Sequence, residues 1–219
     1  MTFPTFENET IQWRSDKHVI GIDEVGRGCF AGPLYVGAVV FPNNMQNDLI
    51  DQILQNKIND SKLVSEKRRE KLAEYIKKTA LICTVIGISV EDINSVGIGG
   101  AGKVGMEHAA RQTLSKLGHL ASNVHILTDA FKINAVEFPN QTPIIHGDRI
   151  SISIAAASII AKVARDRYMT ELSKSFPKYE WHKNKGYGTT THRNAIQSFG
   201  VTPHHRTAFV KTTLMKATC

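Results

Sequence analysis

Residues 18–28, His-Val-Ile-Gly-Ile-Asp-Glu-Val-Gly-Arg-Gly, combine an apolar run, two adjacent acids and an arginine between glycines. The run from Val19 to Ile22 is apolar and rich in β-branched residues, which predicts a buried strand. Such a strand carries Asp23 and Glu24 to the edge of a sheet, and the glycines after them let backbone approach a bulky charged group closely. The pattern therefore indicates a metal site beside a phosphate site.

The rest of the chain alternates between strand and helix patterns. Strands are predicted over 18–25, 34–41, 82–90, 124–128 and 143–146, helices over 65–79, 101–117 and 150–174, and short helices within 177–219. The first two strands are joined too tightly for a helical crossover, so they are expected to pair antiparallel. These elements predict one α/β domain with a mixed sheet flanked by helices. Its core is expected at about 14–175, with a small basic helical extension at about 176–219.

Charge is distributed unevenly along the chain. The 219 residues carry a formal net charge of +7, with a net of −1 over 1–161 and +8 over 162–219. A basic segment attached to a near-neutral body is typical of proteins that bind a polyanion, although a merely soluble basic surface has the same composition.

Several classes of protein are not indicated. No apolar run approaches the roughly 18 residues that a membrane helix needs, and residues 1–13 lack the pattern of a signal peptide. Cys29, Cys83 and Cys219 are widely spaced and form no CxxC pair, so they predict neither a disulfide framework nor a zinc knuckle. A cytoplasmic location is expected, because a reducing compartment keeps such thiols free.

Acidic residues follow three strand-like segments. They are Asp23 with Glu24, Asp129 and Asp148. An Asp after one strand is commonplace, but four carboxylates at one edge repel by about 1 kcal/mol per pair even in a water-like dielectric, so a cation or protonation must relieve them. Oxygen ligands favour Mg²⁺ or Mn²⁺ over zinc, and two such ions suit phosphodiester hydrolysis. Neighbouring residues of a strand face opposite sides, so Asp23 and Glu24 share one ion only if the backbone bends.

Five motifs resemble those of ribonuclease HII, the type 2 ribonuclease H. Residues 23–33 resemble its DEXGRG…AGP signature, and residues 147–166 its GD…SIAAASIIAKV.RD block. Three shorter stretches also match. Residues 60–69 resemble a DSKKLS-type segment, with Leu63-Val64 in place of the usual Lys-Leu, and residues 202–206 resemble TP.HR. Residues 185–192 resemble KGYPT…H, with Gly188 in place of Pro.

The resemblance implies a ribonuclease H-like fold and a metal-dependent endoribonuclease. The family cleaves the RNA strand of RNA–DNA hybrids and cuts 5′ of a single ribonucleotide in duplex DNA, leaving 3′-hydroxyl and 5′-phosphate ends. By position, the catalytic metal ligands would be Asp23, Glu24, Asp129 and Asp148, with two Mg²⁺ or Mn²⁺ ions. The substrate contacts would be Gly26, Arg27, Gly28, Lys62 and Tyr187. The turn and Tyr187 would recognise the ribose 2′-OH, the group that distinguishes RNA from DNA, and residues 162–219 would hold the duplex backbone.

Two alternatives stay open. Ribonuclease HIII resembles this fold but lacks the Gly-Arg-Gly turn and usually carries an extra N-terminal DNA-binding domain, whereas only 17 residues precede the first predicted strand. A non-catalytic nucleic-acid-binding module would use the basic segment alone, but acids at three strand ends would repel the nucleic acid.

Three further expectations concern surroundings and partners. The Gly-rich run 97–103 lacks GxxxxGK[ST] and is predicted to be a flexible approach to the 101–117 helix. Residues 213–219 lack the paired aromatics of a sliding-clamp peptide, and the protein is expected to be a monomer.

Overall fold

Five β-strands form one sheet in the computed structural model, which describes residues 3–135 and 137–215. They are β1 (His18–Val25), β2 (Leu34–Val40), β3 (Ile82–Ile88), β4 (Val124–Asp129) and β5 (Gln141–Ile144). Their order is β3-β2-β1-β4-β5. β1 pairs antiparallel with β2 and parallel with β4, so the predicted mixed sheet and its antiparallel first pair are confirmed. The central position of β1 brings its acidic end next to the end of β4.

Helices cover the sheet and continue beyond it. They are α1 (Glu7–Trp13), α2 (Asn47–Gln55), α3 (Glu66–Thr79), α4 (Val90–Leu117), α5 (Ile152–Ser175), α6 (Trp181–Asn184), α7 (Thr190–Phe199) and α8 (Thr207–Met215). No helix within the described residues is both long and apolar enough to cross a membrane. The prediction missed α1 and α2, whose short apolar patterns are weak signals beside the longer helices.

Two helices sandwich the sheet. Ile20, Ile22 and Val36 face α4 in one apolar cluster, while Val39 on the opposite face packs with α5 in another. Gly21 and Gly37 lie under α5, where an added Cβ would come within 2.5 Å of the Ile154 nitrogen and 2.9 Å of the Ala157 carbonyl carbon. The glycines and the small residues of α5 therefore allow an unusually close helix–sheet approach.

The structure corrects two local predictions. Residues 98–103 of the Gly-rich run are helical rather than a flexible approach, because α4 begins at Val90 and resumes after a non-helical kink at Gly97, where φ is +73°. The predicted strand over 143–146 ends at Ile144, because His146 adopts a left-handed conformation with φ +56° and turns the chain. A short 3₁₀ helix, Gly147–Arg149, follows that turn.

The C-terminal segment packs around its own small apolar cluster. Trp181, Ile196 and Val210 come from α6, α7 and α8, and Met169 of α5 joins them. Isolated bridges join Cys29 to Tyr187 and Ala31 to His205. The segment is thus joined directly to the chain that follows β1. Residues 216–219, including Cys219 and part of the stretch used for the sliding-clamp prediction, lie outside the described residues.

Candidate active site

A cavity of about 210 Å³ opens where β1 and β4 end. It contains three of the predicted acids and all five predicted substrate contacts, which are distant in sequence. Its lining residues are Asp23, Glu24, Val25, Gly26, Arg27, Gly28, Ser61, Lys62, Asp129, Ser158, Lys162 and Tyr187. The structure therefore brings the predicted recognition residues and most of the predicted acids to one place.

Asp23 lies on the α5 side of the sheet. Its carboxylate is buried, with 4% of the residue exposed, and it is hydrogen-bonded to the Ser158 side chain of α5. Burial, together with the charges of Glu24 and Asp129, holds the pKa of Asp23 well above its ordinary value, against the effect of the serine. Without a cation nearby, this environment therefore disfavours the charged form of the Asp23 carboxyl.

Glu24 projects to the α4 side, as alternation along a strand requires. Its Oε1 accepts a hydrogen bond from Arg27 Nη1 at 2.9 Å. Its Oε2 is buried and has no hydrogen-bond partner within the described part of the chain. Burial raises the pKa of Glu24, although the ion pair with Arg27 works in the opposite direction. A buried carboxylate oxygen without a donor is costly unless something cationic approaches it.

Asp129 and Asp148 are joined through the backbone. Asp129 ends β4, and its Oδ1 accepts a hydrogen bond from the Gly147 N–H at 2.8 Å. Asp148 follows Gly147 in the 3₁₀ helix rather than following β5 directly, and it does not line the cavity. Burial and the charges of Asp60 and Asp129 raise its pKa to about 6. The charges of the four predicted acids thus influence one another, although Asp148 lies outside the cavity lining.

The donor chemistry fits a hard divalent cation, although a complete ligand set is not preformed. No group of three or more His, Cys, Asp or Glu residues is arranged to hold a metal ion among residues 3–135 and 137–215. Glu24 remains turned toward Arg27, and mutual repulsion opposes closer approach of the other carboxylates. The unpartnered Glu24 Oε2 and the raised pKa values of Asp23, Glu24 and Asp148 indicate where positive charge is lacking. Oxygen donors of this kind suit Mg²⁺ or Mn²⁺.

Replacing Asp148 with Asn should stabilise the metal-free protein at alkaline pH. The folded state raises the pKa of Asp148 from 3.8 to about 6, so the folded state binds the proton more tightly than the unfolded chain. Stability from this group is therefore present below about pH 4 and is lost as pH rises through 6. We expect a Tm increase of roughly 2–8 °C at pH 8 in EDTA, for about 1–2 kcal/mol, and no increase at pH 4. An equal change at both pH values would contradict the electrostatic origin.

Another buried acid beside the site, Asp60, was not among the predicted site residues. The Asp60 carboxylate is 1% exposed and pairs with Arg149 Nη2 at 3.0 Å. Burial alone would raise its pKa, but hydrogen bonds from the Lys62 N–H and Arg149 outweigh that effect and lower it. Asp60 therefore stays charged. Its carboxylate accepts a hydrogen bond from the Lys62 N–H, and its negative charge raises the pKa of Asp148.

The Gly-Arg-Gly turn is anchored from inside the protein by two buried arginines. Arg206 Nη1 donates to the Gly26 and Arg27 carbonyls at 2.6 and 3.0 Å. Arg165 fills the space where a Cβ at Gly26 would lie, and Gly26 has φ +97°. Both packing and backbone conformation therefore require glycine at this position. The carbonyls of the turn are held from within while the turn itself borders the cavity.

The Arg27 side chain serves an internal role in this structure. Its guanidinium pairs with Glu24 and lies 4.7 Å from the centre of the Phe131 ring. Phe131 is 47% exposed, so the arginine and the ring form part of the surface beside the cavity. The predicted substrate contact of this turn consequently depends on its backbone unless the Arg27 side chain leaves Glu24.

Tyr187 lines the cavity, and an isolated bridge joins it to Cys29, which directly follows the Gly-Arg-Gly turn. Lys162 Nζ lies 5.4 Å and the Arg165 guanidinium carbon 5.8 Å from its ring centre. Burial raises the pKa of the Tyr187 phenol to about 12, so the hydroxyl remains protonated. At the next position, a Cβ on Gly188 would come within 2.6 Å of the Phe30 ring. Close packing on Phe30 explains why a residue without a side chain fits here.

Two polar residues of α5, Ser158 and Lys162, complete the cavity and were missed. They stand four residues apart on one helix face, and Asp166 continues the row and accepts from Lys162 Nζ at 2.7 Å. The Ser158 and Ser61 hydroxyl oxygens are also within hydrogen-bond distance, at 2.9 Å. A polar row with a four-residue spacing in an otherwise small and apolar helix is a signal that could have identified them.

The basic C-terminal quarter is less available to a polyanion than its charge predicts. Residues 162–219 contain eleven Lys and Arg residues, but Lys162, Arg165 and Arg206 are buried and bonded within the protein. Others, including Lys174 and Lys183, pair with neighbouring glutamates at the surface. Part of the local charge excess therefore stabilises the fold rather than forming an open binding surface.

Comparisons with known proteins give one consistent family. A family model described as Ribonuclease HII matches residues 20–214. A protein named Ribonuclease HII from Thermosynechococcus vestitus is 38% identical over 207 residues, covering 94% of this chain and 90% of the relative. The solved PCNA:RNase HII complex from Archaeoglobus fulgidus has a TM-score of 0.65 at 25% identity, covering 91% of this chain and 96% of that chain.

A ribonuclease HIII structure shares the fold as well. Bst-RNase HIII in complex with Mn²⁺ has a TM-score of 0.68 at 19% identity, covering 92% of this chain but only 70% of that chain. At this identity the likeness shows the fold alone, and with the Archaeoglobus structure it confirms the predicted ribonuclease H-like α/β class. The family model and the 38%-identical relative both carry the type HII name.

Proposed function

Because the chain belongs to the ribonuclease HII family, we propose that the cavity at the end of β1 and β4 is its active site. The protein is a metal-dependent endoribonuclease that hydrolyses the RNA strand of RNA–DNA hybrids. The convergence of the acids with the Gly-Arg-Gly turn in one cavity is the observation that carries the assignment.

The proposed metal ligands are Asp23, Glu24, Asp129 and Asp148. The family depends on divalent metal ions, and we propose Mg²⁺ or Mn²⁺ here, with two ions during catalysis. The unpartnered Glu24 Oε2 and the all-oxygen donor set support this choice. Such ions, when bound, would activate a water molecule and stabilise the leaving 3′ oxygen. Water would attack the phosphorus in line, without a covalent enzyme intermediate, and the P–O3′ bond would break. The leaving oxygen would take a proton to give the 3′-hydroxyl end, and the phosphate would stay on the 5′ end of the other fragment.

The proposed substrate contacts are Gly26, Arg27, Gly28, Lys62 and Tyr187. The Gly26–Gly28 backbone lies at the cavity, where amide and carbonyl groups can approach a ribose 2′-OH without an intervening side chain. Lys62 offers a cation for a phosphate, and Tyr187 offers an apolar ring for the sugar at an RNA–DNA junction. Together they would direct the cut to the 5′ side of a single ribonucleotide in duplex DNA.

Neither rival class explains the site as well. A ribonuclease HIII-type enzyme would share the fold, but the family model that matches is the type HII model and this chain has the Gly-Arg-Gly turn. In a non-catalytic binding module, Asp23 and Glu24 would have no role that accounts for their burial and raised pKa values, and their negative charge would face the nucleic acid. We further propose that the protein acts as a cytoplasmic monomer.

A gel assay with duplex DNA containing one ribonucleotide tests the function and its dependence on metal. We expect one incision 5′ of the ribonucleotide in Mg²⁺, and none in EDTA, because repulsion among the carboxylates and the absence of an activated water block hydrolysis. An all-DNA duplex of the same sequence is the matched substrate and should stay intact. Binding without incision in Mg²⁺ would favour the non-catalytic module, and incision in EDTA would exclude the metal mechanism.

A further inference from the structure

Two buried histidines lie behind Tyr187, outside the cavity. His192 of α7 and His205 of the C-terminal segment are 0% and 2% exposed. The His192 Nδ1 lies 2.9 Å from the Tyr187 carbonyl oxygen, and its Nε2 lies 3.2 Å from His205 Nε2. Trp181 Nε1 donates to the same His192 Nε2 at 3.0 Å. The imidazoles thus form a continuous chain from residue 205 to the backbone of Tyr187.

The partners fix which ring nitrogens carry hydrogen. The Tyr187 carbonyl can only accept, so His192 Nδ1 carries a hydrogen and its Nε2 is the bare acceptor for Trp181. His205 Nδ1 accepts from the Thr202 N–H at 2.9 Å, so His205 Nε2 carries the hydrogen and shares the single lone pair of His192 Nε2 with the Trp181 N–H. Every ring nitrogen has a partner of the complementary kind only while both rings are neutral.

The environment keeps both imidazoles neutral. Burial lowers the pKa of His192 and of His205, the latter to about 4, and the repulsion that would arise if both rings were protonated also lowers the pKa of His205. The rings of Tyr179 and Trp181 pack against them at centroid distances of 5.1–6.2 Å. A protonated His192 would point an N–H at the Trp181 N–H, which the chain of hydrogen bonds does not accommodate.

We propose that His192 and His205 are positioning residues that fix Tyr187 for cleavage at a single ribonucleotide. This rests on the proposed substrate contact of Tyr187. The Tyr187 carbonyl also accepts from the Thr189 N–H at 2.8 Å, and Thr189 caps α7, so the histidine bond ties the backbone of Tyr187 to the first turn of that helix. His205 is in turn bridged to Ala31, shortly after the Gly-Arg-Gly turn. The chain therefore links the two recognition elements to each other.

The cleavage rate is expected to depend on how accurately Tyr187 is placed. Tyr187 sits on a loop with left-handed Lys185 and a Gly186 at φ +82°, where the Cys29 bridge and the bond from the Tyr187 N–H to the Asn184 carbonyl at 2.9 Å hold the backbone. A displacement of about 1 Å at a positioning group can cost roughly 100-fold in rate. The His192 bond is the side-chain constraint on the Tyr187 carbonyl, and it is shielded from competing water because both imidazoles are buried.

Two substitutions at His192 separate positioning from simple packing. The Asn side-chain amide occupies nearly the place of imidazole Nδ1, so His192→Asn can still donate to Tyr187 but loses the bond from Trp181. The Gln side-chain amide reaches nearer to Nε2, so His192→Gln can still accept from Trp181 but loses the bond to Tyr187. His192→Asn also loses the bond from His205, whereas His192→Gln keeps an acceptor for both donors, so the Tm of His192→Asn is expected to fall at least as far as that of His192→Gln.

Cleavage of duplex DNA with one ribonucleotide should distinguish these variants. We expect kcat to fall about 10–100-fold in His192→Gln, with KM nearly unchanged, and to stay within about 3-fold of the parent in His192→Asn. Equal losses in both variants, following their decreases in Tm, would overturn the proposal and leave His192 a packing residue.

A double-variant cycle with Tyr187→Ala separates this inference from the proposed function. If His192 acts through Tyr187, His192→Gln should add less than about 2-fold to the loss caused by Tyr187→Ala. Additive losses would overturn the positioning role while leaving the contact of Tyr187 in place. Full cleavage by Tyr187→Ala would overturn the contact itself, and the positioning role with it.

Discussion

Asp129→Asn is expected to lose about a thousandfold in cleavage rate, or about 4 kcal/mol of transition-state stabilisation, while the hybrid still binds. The Asp129 Oδ1 accepts from the Gly147 N–H at 2.8 Å, and an Asn oxygen can preserve that bond. The fold at the end of β4 should therefore survive, whereas the negative charge required to hold a divalent ion is lost. Single-turnover cleavage and a separate hybrid-binding measurement check the two parts.

The matched control for this substitution is Asp51→Asn. Asp51 is an exposed aspartate on α2, and it does not line the cavity. It loses the same charge, so any general effect of net charge on binding a polyanion should appear equally in both variants. We expect cleavage by Asp51→Asn to match the parent. Full activity in Asp129→Asn would remove Asp129 from the metal site, and loss of binding together with cleavage would indicate misfolding.

Gly37→Ala is expected to destabilise the protein by at least about 3 kcal/mol, equal to a Tm decrease of roughly 6–12 °C. The added Cβ would lie 2.9 Å from the carbonyl carbon of Ala157 and still closer to its oxygen. Both are backbone atoms of α5, so no side-chain rotation relieves the overlap. Gly37 is also the cross-strand partner of Asp23, to which the Ser158 of α5 is hydrogen-bonded. Moving α5 outward should therefore impair cleavage in whatever protein remains folded.

Gly87→Ala provides the comparison for that clash. Gly87 lies in β3, and its added Cβ would come no closer than 3.5 Å, to the Tyr35 ring, which is an ordinary contact. Because Ala restricts the unfolded chain more than Gly, we expect a change within about 1 kcal/mol. Thermal unfolding of the two variants measures the difference. Similar Tm values would contradict the conclusion that close approach of α5 to β2 is what requires Gly37.

The convergence of the strand-end acids could be inferred from local patterns. β1 reads as an apolar strand ending at Asp23 and Glu24, and β4 as a buried strand ending at Asp129, so a parallel pair brings these acids together. The opposite orientations of Asp23 and Glu24 also follow from alternation along a strand. The substrate contacts required the family resemblance, because a glycine-flanked arginine has no unique meaning by itself.

Other parts of the site depend on contacts between residues distant in sequence. Asp148 is placed by the left-handed turn at His146 and by the bond from Gly147 to Asp129, neither of which has a local signal. Likewise, Arg206 reads as a surface cation in a basic segment, yet it is buried against the carbonyls of Gly26 and Arg27, 180 and 179 residues earlier. Only the assembled fold distinguishes a buried structural arginine from one available to a phosphate.

The most direct test of the metal site is an anomalous difference map from crystals grown with Mn²⁺ and a ribonucleotide-containing duplex, using Asp129→Asn as the metal-weakened comparison. We expect Mn²⁺ peaks contacted by the carboxylates of Asp23, Glu24, Asp129 and Asp148 in the parent protein, and a weakened or missing peak beside Asn in the variant. We also expect Glu24 to turn from Arg27 toward the metal. Peaks located elsewhere, or the same peaks undiminished in the variant, would contradict the assignment of these acids as the metal site.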